Sequence, residues 1–189
     1  MFVSVATVVV AVTGLASFVT ASPLPEPQPQ PSQNPCSPSF QGVATYIQAY
    51  DTYNRLTVPA GSQQTTQIYT QSAGQTKWRV EGSGSPANDY IIKWVTPSNQ
   101  YIAAPYRGST LALANYQGSG NPTFDIRCNS CFAPGTIPAA GTFIGNTCYI
   151  IEHSTGKYLT ESPQPNGSGY LTLAPRNGLT NQFFHIVAA

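Results

Sequence analysis

Charge is scarce in this chain: eight Lys and Arg stand against seven Asp and Glu in 189 residues, scattered singly. No electropositive stripe exists to neutralise a run of phosphates, which excludes nucleic acid as the expected partner. Histidine is scarcer still, with His153 and His185 alone, and neither stands in a Gly-x-Ser-x-Gly or metal-ligand pattern. The carboxylates Asp51, Glu81, Asp89, Asp125, Glu152 and Glu161 are strewn over the whole chain, so no pair at a glycosidase separation stands out. The expectation is a protein without catalytic activity, metal or cofactor.

Long apolar runs are also missing, with one exception. "MFVSVATVVVAVTGLASFVTAS" opens the chain and ends in small residues around Val19, Thr20 and Ala21, which predicts a secretory signal peptide over 1–21. Nothing later is long and apolar enough to span a bilayer, so the chain is expected to be extracellular and free of the membrane after cleavage. The Pro- and Gln-rich stretch 22–35 has almost nothing to bury and reads as an extended tether. From Cys36 onward the chain is long enough for one domain with a single core, 36–189.

Four cysteines are present, all beyond the predicted cleavage point. An even count in a secreted chain implies two disulfides, with three connectivities open. "CNSC" has the spacing of a zinc or redox motif, but no second pair follows and His153 is remote. Cys128 closes a strand on the face that carries Phe124 and Ile126, and Cys148 precedes the next strand-like run. That placement favours Cys128 with Cys148, which leaves Cys36 with Cys131 to pin the end of the tether.

What the chain does have is alternation. Apolar residues recur every second position in short runs broken by Gly, Asn, Ser and Pro, and no stretch after the leader keeps a helical spacing, so the chain is all-β. "KWRVEG" (77–82), "TFDIRC" (123–128) and "FFHIVA" (183–188) each place an aromatic two residues before a β-branched residue: Trp78 with Val80, Phe124 with Ile126, Phe184 with Ile186. Each closes a longer unit that opens alike, in "ATYIQAYDTYNRLTV", "DYIIKWVTPSNQYIA" and "CYIIEHSTGKYLTE". The unit is strand, short turn, strand, polar hairpin, strand, turn, strand, written over about 42–82, 87–128 and 146–187. A four-strand unit cannot bury its own apolar face, but three can shelter one another. The outer strands of each unit are expected to form a closed barrel and the middle pairs to cap one end.

The third unit, "YIIEHSTGKYLT...GYLTLAPRNGLTNQFFHI", resembles the repeat of the β-trefoil proteins called ricin B-like lectins, with Gln182, Phe183 and Phe184 in the place of their Q-x-W signature. The resemblance covers about 42–187. Thr76 and Pro122 stand where the first two units would carry the glutamine. The resemblance implies a monomeric β-trefoil that binds a glycan or polysaccharide: an aromatic platform in the hairpin, an aspartate after the first-turn leucine, and an Asn-Gln pair before the last strand. Carried over by position, Tyr69 is the platform of the first unit, with Thr57 in the aspartate's place. Asn181 and Gln182 are the amide pair of the third, where Thr160 replaces the aspartate with Glu161 beside it and Ala174 replaces the platform. The second unit has Ala103 and Ala114.

Tyr50, Tyr53, Trp94, Tyr106 and Tyr116 fall in or beside turns, and Trp94 is the further candidate for a sugar-stacking ring. The alternative function is inhibition of a protease: Arg107 at the tip of "APYRGST" would fill a trypsin-like pocket. "NGS" at Asn166 is an acceptor for N-glycosylation in an exposed hairpin.

Overall fold

The computed structural model describes residues 35–84, 89–98, 100–107 and 109–189; the expected signal peptide and all of the tether but Pro35 lie outside the described residues. Alternation dictates the elements. In β1 (Ala44–Ala49), Thr45, Ile47 and Ala49 are buried and the residues between them are not. β4 (Trp78–Gly82) buries Trp78 and Val80 in the same way. The chain continues with β2 (Arg55–Thr57) and β3 (Tyr69–Gln71) between these two, then β5 (Asp89–Trp94), β6 (Tyr101–Tyr106), β7 (Thr110–Asn115) and β8 (Phe124–Cys131). A third set follows: β9 (Phe143–Glu152), β10 (Tyr158–Pro163), β11 (Ser168–Ala174) and β12 (Phe184–Ala188), with a single 3₁₀ turn, Thr180–Gln182, before the last.

Six of these strands close a ring. β1 pairs β4, β4 pairs β5, β5 pairs β8, β8 pairs β9, β9 pairs β12, and β12 returns to β1, all antiparallel. Closure leaves no strand of the ring with an unpaired edge. The other six form the hairpins β2–β3, β6–β7 and β10–β11. These meet around a second triangle, through β3–β11, β7–β11 and the bridge between Gln67 and Ala112. Three four-stranded units making a six-stranded barrel capped by three hairpins are a β-trefoil.

The core explains the threefold register. Trp78, Phe124 and Phe184 are each 0 % exposed, as are Ile126 and Ile186. Leu56, Leu111, Leu159 and Leu171 of the hairpins close the core from the cap side, each fully buried. Trp78 also donates its indole N–H to the Leu56 carbonyl at 3.0 Å, joining stave to cap within one unit.

The disulfides are Cys128–Cys148 and Cys36–Cys131. The first joins directly opposite residues of β8 and β9, with Cα atoms 3.9 Å apart. Gly145 makes room for it, since a Cβ there would lie 2.7 Å from the Cys128 sulfur. The second ties the start of the domain to β8, where Cys36 also exchanges both backbone hydrogen bonds with Cys128. On the chain-entropy model the Cys128–Cys148 loop stabilises the fold by about 3 kcal/mol.

Candidate functional site

Ile68, just before β3, and Thr70 on it turn into the protein, so Tyr69 and Gln71 turn out; on β11, Gly169 and Leu171 turn in and Ser168 and Tyr170 turn out. The β3–β11 register sets Tyr69 directly opposite Tyr170 and Gln71 opposite Ser168. Opposite residues on one sheet face have Cβ atoms about 5 Å apart, so the two side chains leave the sheet as neighbours across the seam between the first and third units, and the Tyr69 hydroxyl donates to Gln71 Oε1 at 3.4 Å. Tyr170 is 52 % exposed and Tyr69 half-buried. They stand in a groove of about 360 Å³, whose other walls are Gln67, Gln71, Ser72, Asn166, Gly167 and Ser168. That volume falls in the range of small-ligand sites. None of the lining residues is charged, and all but the glycine bring a hydroxyl or an amide.

The opposite face of the same strands shows why the groove holds its shape. Glu161 on β10 is 1 % exposed. Thr52 donates to both of its carboxylate oxygens, at 3.1 and 3.0 Å, and Thr70 donates a further hydrogen bond to Oε1. Gly169 is needed here: a Cβ would lie 2.7 Å from Glu161 Oε1 and 2.4 Å from Thr70 Oγ1. Thr52 and Thr70 belong to the first unit and Glu161 to the third, so the carboxylate fastens the strands that flank the groove.

Glu161 therefore departs from its expected role as a sugar ligand. Its charge suggests exposure, but three hydroxyl hydrogen bonds and a glycine-shaped recess hold it inside. Glu161→Ala leaves the two threonine hydroxyls without their acceptor and is expected to cost about 2 kcal/mol of stability in urea unfolding. Glycan binding by the folded fraction should persist.

The amide pair is corrected in the same way. Gln182 is 0 % exposed; its Nε2 donates to Thr160 Oγ1 at 3.0 Å and to the Pro175 carbonyl at 2.9 Å, while its Oε1 accepts from Asn177 N at 2.9 Å. Asn181 donates to the Glu161 carbonyl at 3.1 Å and accepts from Asn177 Nδ2 at 3.2 Å. Both side chains fasten the β11–β12 connection rather than present an open polar pair. Trp94 is also displaced from its expected role. It ends β5 opposite Trp78, half-buried against the core and 6.1 Å from the Tyr101 ring, where it seals the barrel wall.

Arg107 is exposed at its hairpin tip, but its φ of +47° is left-handed and its guanidinium lies 5.1 Å from the Tyr106 ring. A peptide read by edge pairing must be extended. A tight reversal at the specificity residue opposes the expected insertion into a protease cleft.

Two other concavities lack an exposed phenol, phenyl or indole ring. One, about 540 Å³, is lined by residues 37–42, 80–82 and 90. Its aromatics Phe40 and Tyr90 are buried, edge-on at 5.2 Å, with the Tyr90 hydroxyl donated to the Pro38 carbonyl at 2.9 Å. Another, about 390 Å³, is lined by Pro105, residues 120–123 and Glu152, His153 and Ser154. Burial pushes Glu152 up, but hydrogen bonds from the hydroxyls and backbone N–H groups of Ser154 and Thr155 outweigh it and hold the carboxyl below its usual range. The His153 ring is 3.5 Å from Asp89. Among the described residues, no three His, Cys, Asp or Glu side chains come together as a metal site.

His185 lies among the rings of Tyr50, Tyr53 and Phe143, with centroids 5.1 to 5.9 Å away, and its Nδ1 accepts from Thr147 N at 3.4 Å. Burial holds its pKa below the ordinary 6.5. Between those two values the unfolded chain binds more protons than the folded one, so this contribution to stability is complete above about pH 6.5 and is lost as pH falls towards the folded value. Melting temperature should therefore decline from about pH 6.5 downward, and His185→Phe should flatten that part of the profile.

No protein-family profile matches the sequence, and no curated protein matches it. Solved structures do. The chain superposes on a designed threefold-symmetric protein, ThreeFoil, with TM-score 0.56 and 13 % identity, covering 77 % of this chain and 99 % of that one. It superposes on the cytolethal distending toxin of Haemophilus ducreyi with TM-score 0.56 and 16 % identity, covering 89 % and 92 %. The mdaA-1 domain follows with TM-score 0.51 and 13 % identity, covering 81 % and 94 %. At these identities the likeness is one of fold, and the fold it supports is the β-trefoil.

Proposed function

We propose that this protein is a secreted, monomeric, carbohydrate-binding β-trefoil that acts by binding rather than by catalysis, and that it takes a glycan in the groove between the hairpins of its first and third units. The observation that carries this reading is the pair Tyr69 and Tyr170, side by side and flanked by uncharged amides and hydroxyls. A pyranose presents C–H bonds on its faces and hydroxyls around its rim. Phenol rings suit the former, and fixed polar groups select among the latter. The absence of charge in the lining favours neutral sugars over anionic ones, because a bound carboxylate or sulfate would lose its hydration without gaining a counter-charge. Two disulfides, and no helix among the described residues long and apolar enough to cross a membrane, are compatible with an extracellular setting.

A glycan array probed with the chain produced in an oxidising bacterial compartment, free of attached sugar, tests the proposal. Binding to a set of neutral oligosaccharides that Tyr170→Ala removes supports it. Silence across the array, or binding that Tyr170→Ala leaves intact, overturns it.

A further inference from the structure

The rim of the groove carries a group that ligand recognition does not require. Asn166, Gly167 and Ser168 form an Asn-x-Ser acceptor at the tip of the β10–β11 hairpin, and all three line the groove. Asn166 is exposed. Its Oδ1 accepts from the Ser168 hydroxyl at 2.6 Å and from Ser168 N at 3.1 Å. Both bonds fall on oxygen and leave the amide nitrogen as the end available for modification. The tip is also fixed in place: Asn54, 5 % exposed in the first unit, donates its side-chain N–H to the Gly167 carbonyl at 3.1 Å. A sugar on Asn166 would therefore leave from a clamped point beside Tyr69 and Tyr170.

We infer that Asn166 carries an N-linked glycan whose first N-acetylglucosamine covers the Tyr69–Tyr170 groove, so that the modified chain occludes its own binding site. The consequence for binding rests on the reading of that groove as the sugar site; the covering of Tyr170 does not. In the modification, Asn166 Nδ2 forms a bond to the anomeric carbon of an oligosaccharide carried on a lipid pyrophosphate. The C–O bond to the pyrophosphate breaks, the lipid pyrophosphate leaves with that electron pair, and the amide gives up one proton. The donor and the transferase are those of the secretory route the leader predicts. Once attached, the sugar is present beside the groove at an effective concentration in roughly the millimolar range.

The test compares three forms of the full chain: that secreted from a eukaryotic host, the unmodified chain from an oxidising bacterial compartment, and Asn166→Gln from the eukaryotic host. Peptide mass spectrometry locates the glycan, tetranitromethane reports the accessibility of Tyr170, and the array reports binding. Tyr116, exposed in the second unit, is the internal control for nitration. A glycan on Asn166, nitration of Tyr170 at least fivefold slower with the glycan than in the bacterial and Asn166→Gln forms, and array signals at least tenfold higher for the bacterial form support the inference. An unmodified Asn166, or equal nitration of Tyr170 in all forms, overturns it. Protection of Tyr170 together with an array that stays silent for every form upholds the occlusion and overturns the carbohydrate reading instead.

Discussion

Tyr69→Ala combined with Tyr170→Ala is expected to weaken binding of the best array ligand about a hundredfold while leaving the fold intact. The estimate follows from the rings themselves. An aromatic contact is worth about 0.5 to 1.5 kcal/mol beyond the area it buries, and each 1.4 kcal/mol is a factor of about ten in affinity. Two rings acting on one pyranose thus account for up to about two decades, before the area they bury is counted. Both side chains stand on the outer face of the cap, and substitutions at such positions seldom change stability by more than about 1 kcal/mol. Titration calorimetry beside thermal melts separates the two effects. Each single variant should lose about tenfold; a loss confined to Tyr69→Ala would mean that Tyr170 is a bystander and that the site lies within the first unit alone.

The second large effect concerns the barrel. Trp78→Ala should destabilise the domain by about 5 kcal/mol, seen as a lower urea midpoint at unchanged slope. Truncating a buried large aromatic costs about 3 to 5 kcal/mol, and the Leu56 carbonyl, which accepts the indole N–H at 3.0 Å, loses its partner as well. Domains of this size have about 5 to 15 kcal/mol of stability in all, so a large part of it disappears. Trp78→Phe keeps most of the volume and should cost about half as much. Threefold symmetry adds a sharper demand: Phe124→Ala and Phe184→Ala, at the equivalent buried positions, should each cost about 4 kcal/mol. A value near zero at any one of the three would mean that the units do not share one core.

The barrel was legible in the sequence because its signal is local and written three times. Trp78, Phe124 and Phe184 each lead a β-branched residue on the same strand face, and burial on one face is all that this pattern has to encode. In the groove, Tyr69 is reached through the resemblance to the lectin repeat, while the same reading misses Tyr170, although its parity opposite to Leu171 and Leu173 turns it outward. Its meeting with Tyr69 was not legible, because it depends on how β3 of the first unit lies against β11 of the third, a pairing between distant segments that no local pattern records. Glu161 shows the converse failure. It reads as a sugar ligand because it adjoins the aspartate position at Thr160, and only the recess made by Gly169, with hydroxyls from Thr52 and Thr70, makes its burial tolerable. Trp94 was read from its nearness to a turn, whereas its place is set by the register of β5 on β4, opposite Trp78.

The disagreement between resemblance and geometry has a physical content. Position-by-position comparison with the lectin repeat points into the third unit, where Asn181 and Gln182 are retained, yet both side chains are engaged by Asn177, Glu161, Thr160 and Pro175. The polar groups left open to a ligand lie instead on the seam between units. A seam site draws its residues from two repeats, so it does not need a full ligand set in any single repeat.

The central claim is that the β3–β11 seam binds sugar, and a backbone amide NMR titration of the unmodified chain with the strongest oligosaccharide from the array tests it most directly. The account predicts that the shifted amides cluster at residues 67–72 and 166–170, and that Tyr170→Ala abolishes the shifts. Shifts centred on residues 174–182, or spread over the turns around Trp94 and Arg107 with the seam unmoved, would contradict it.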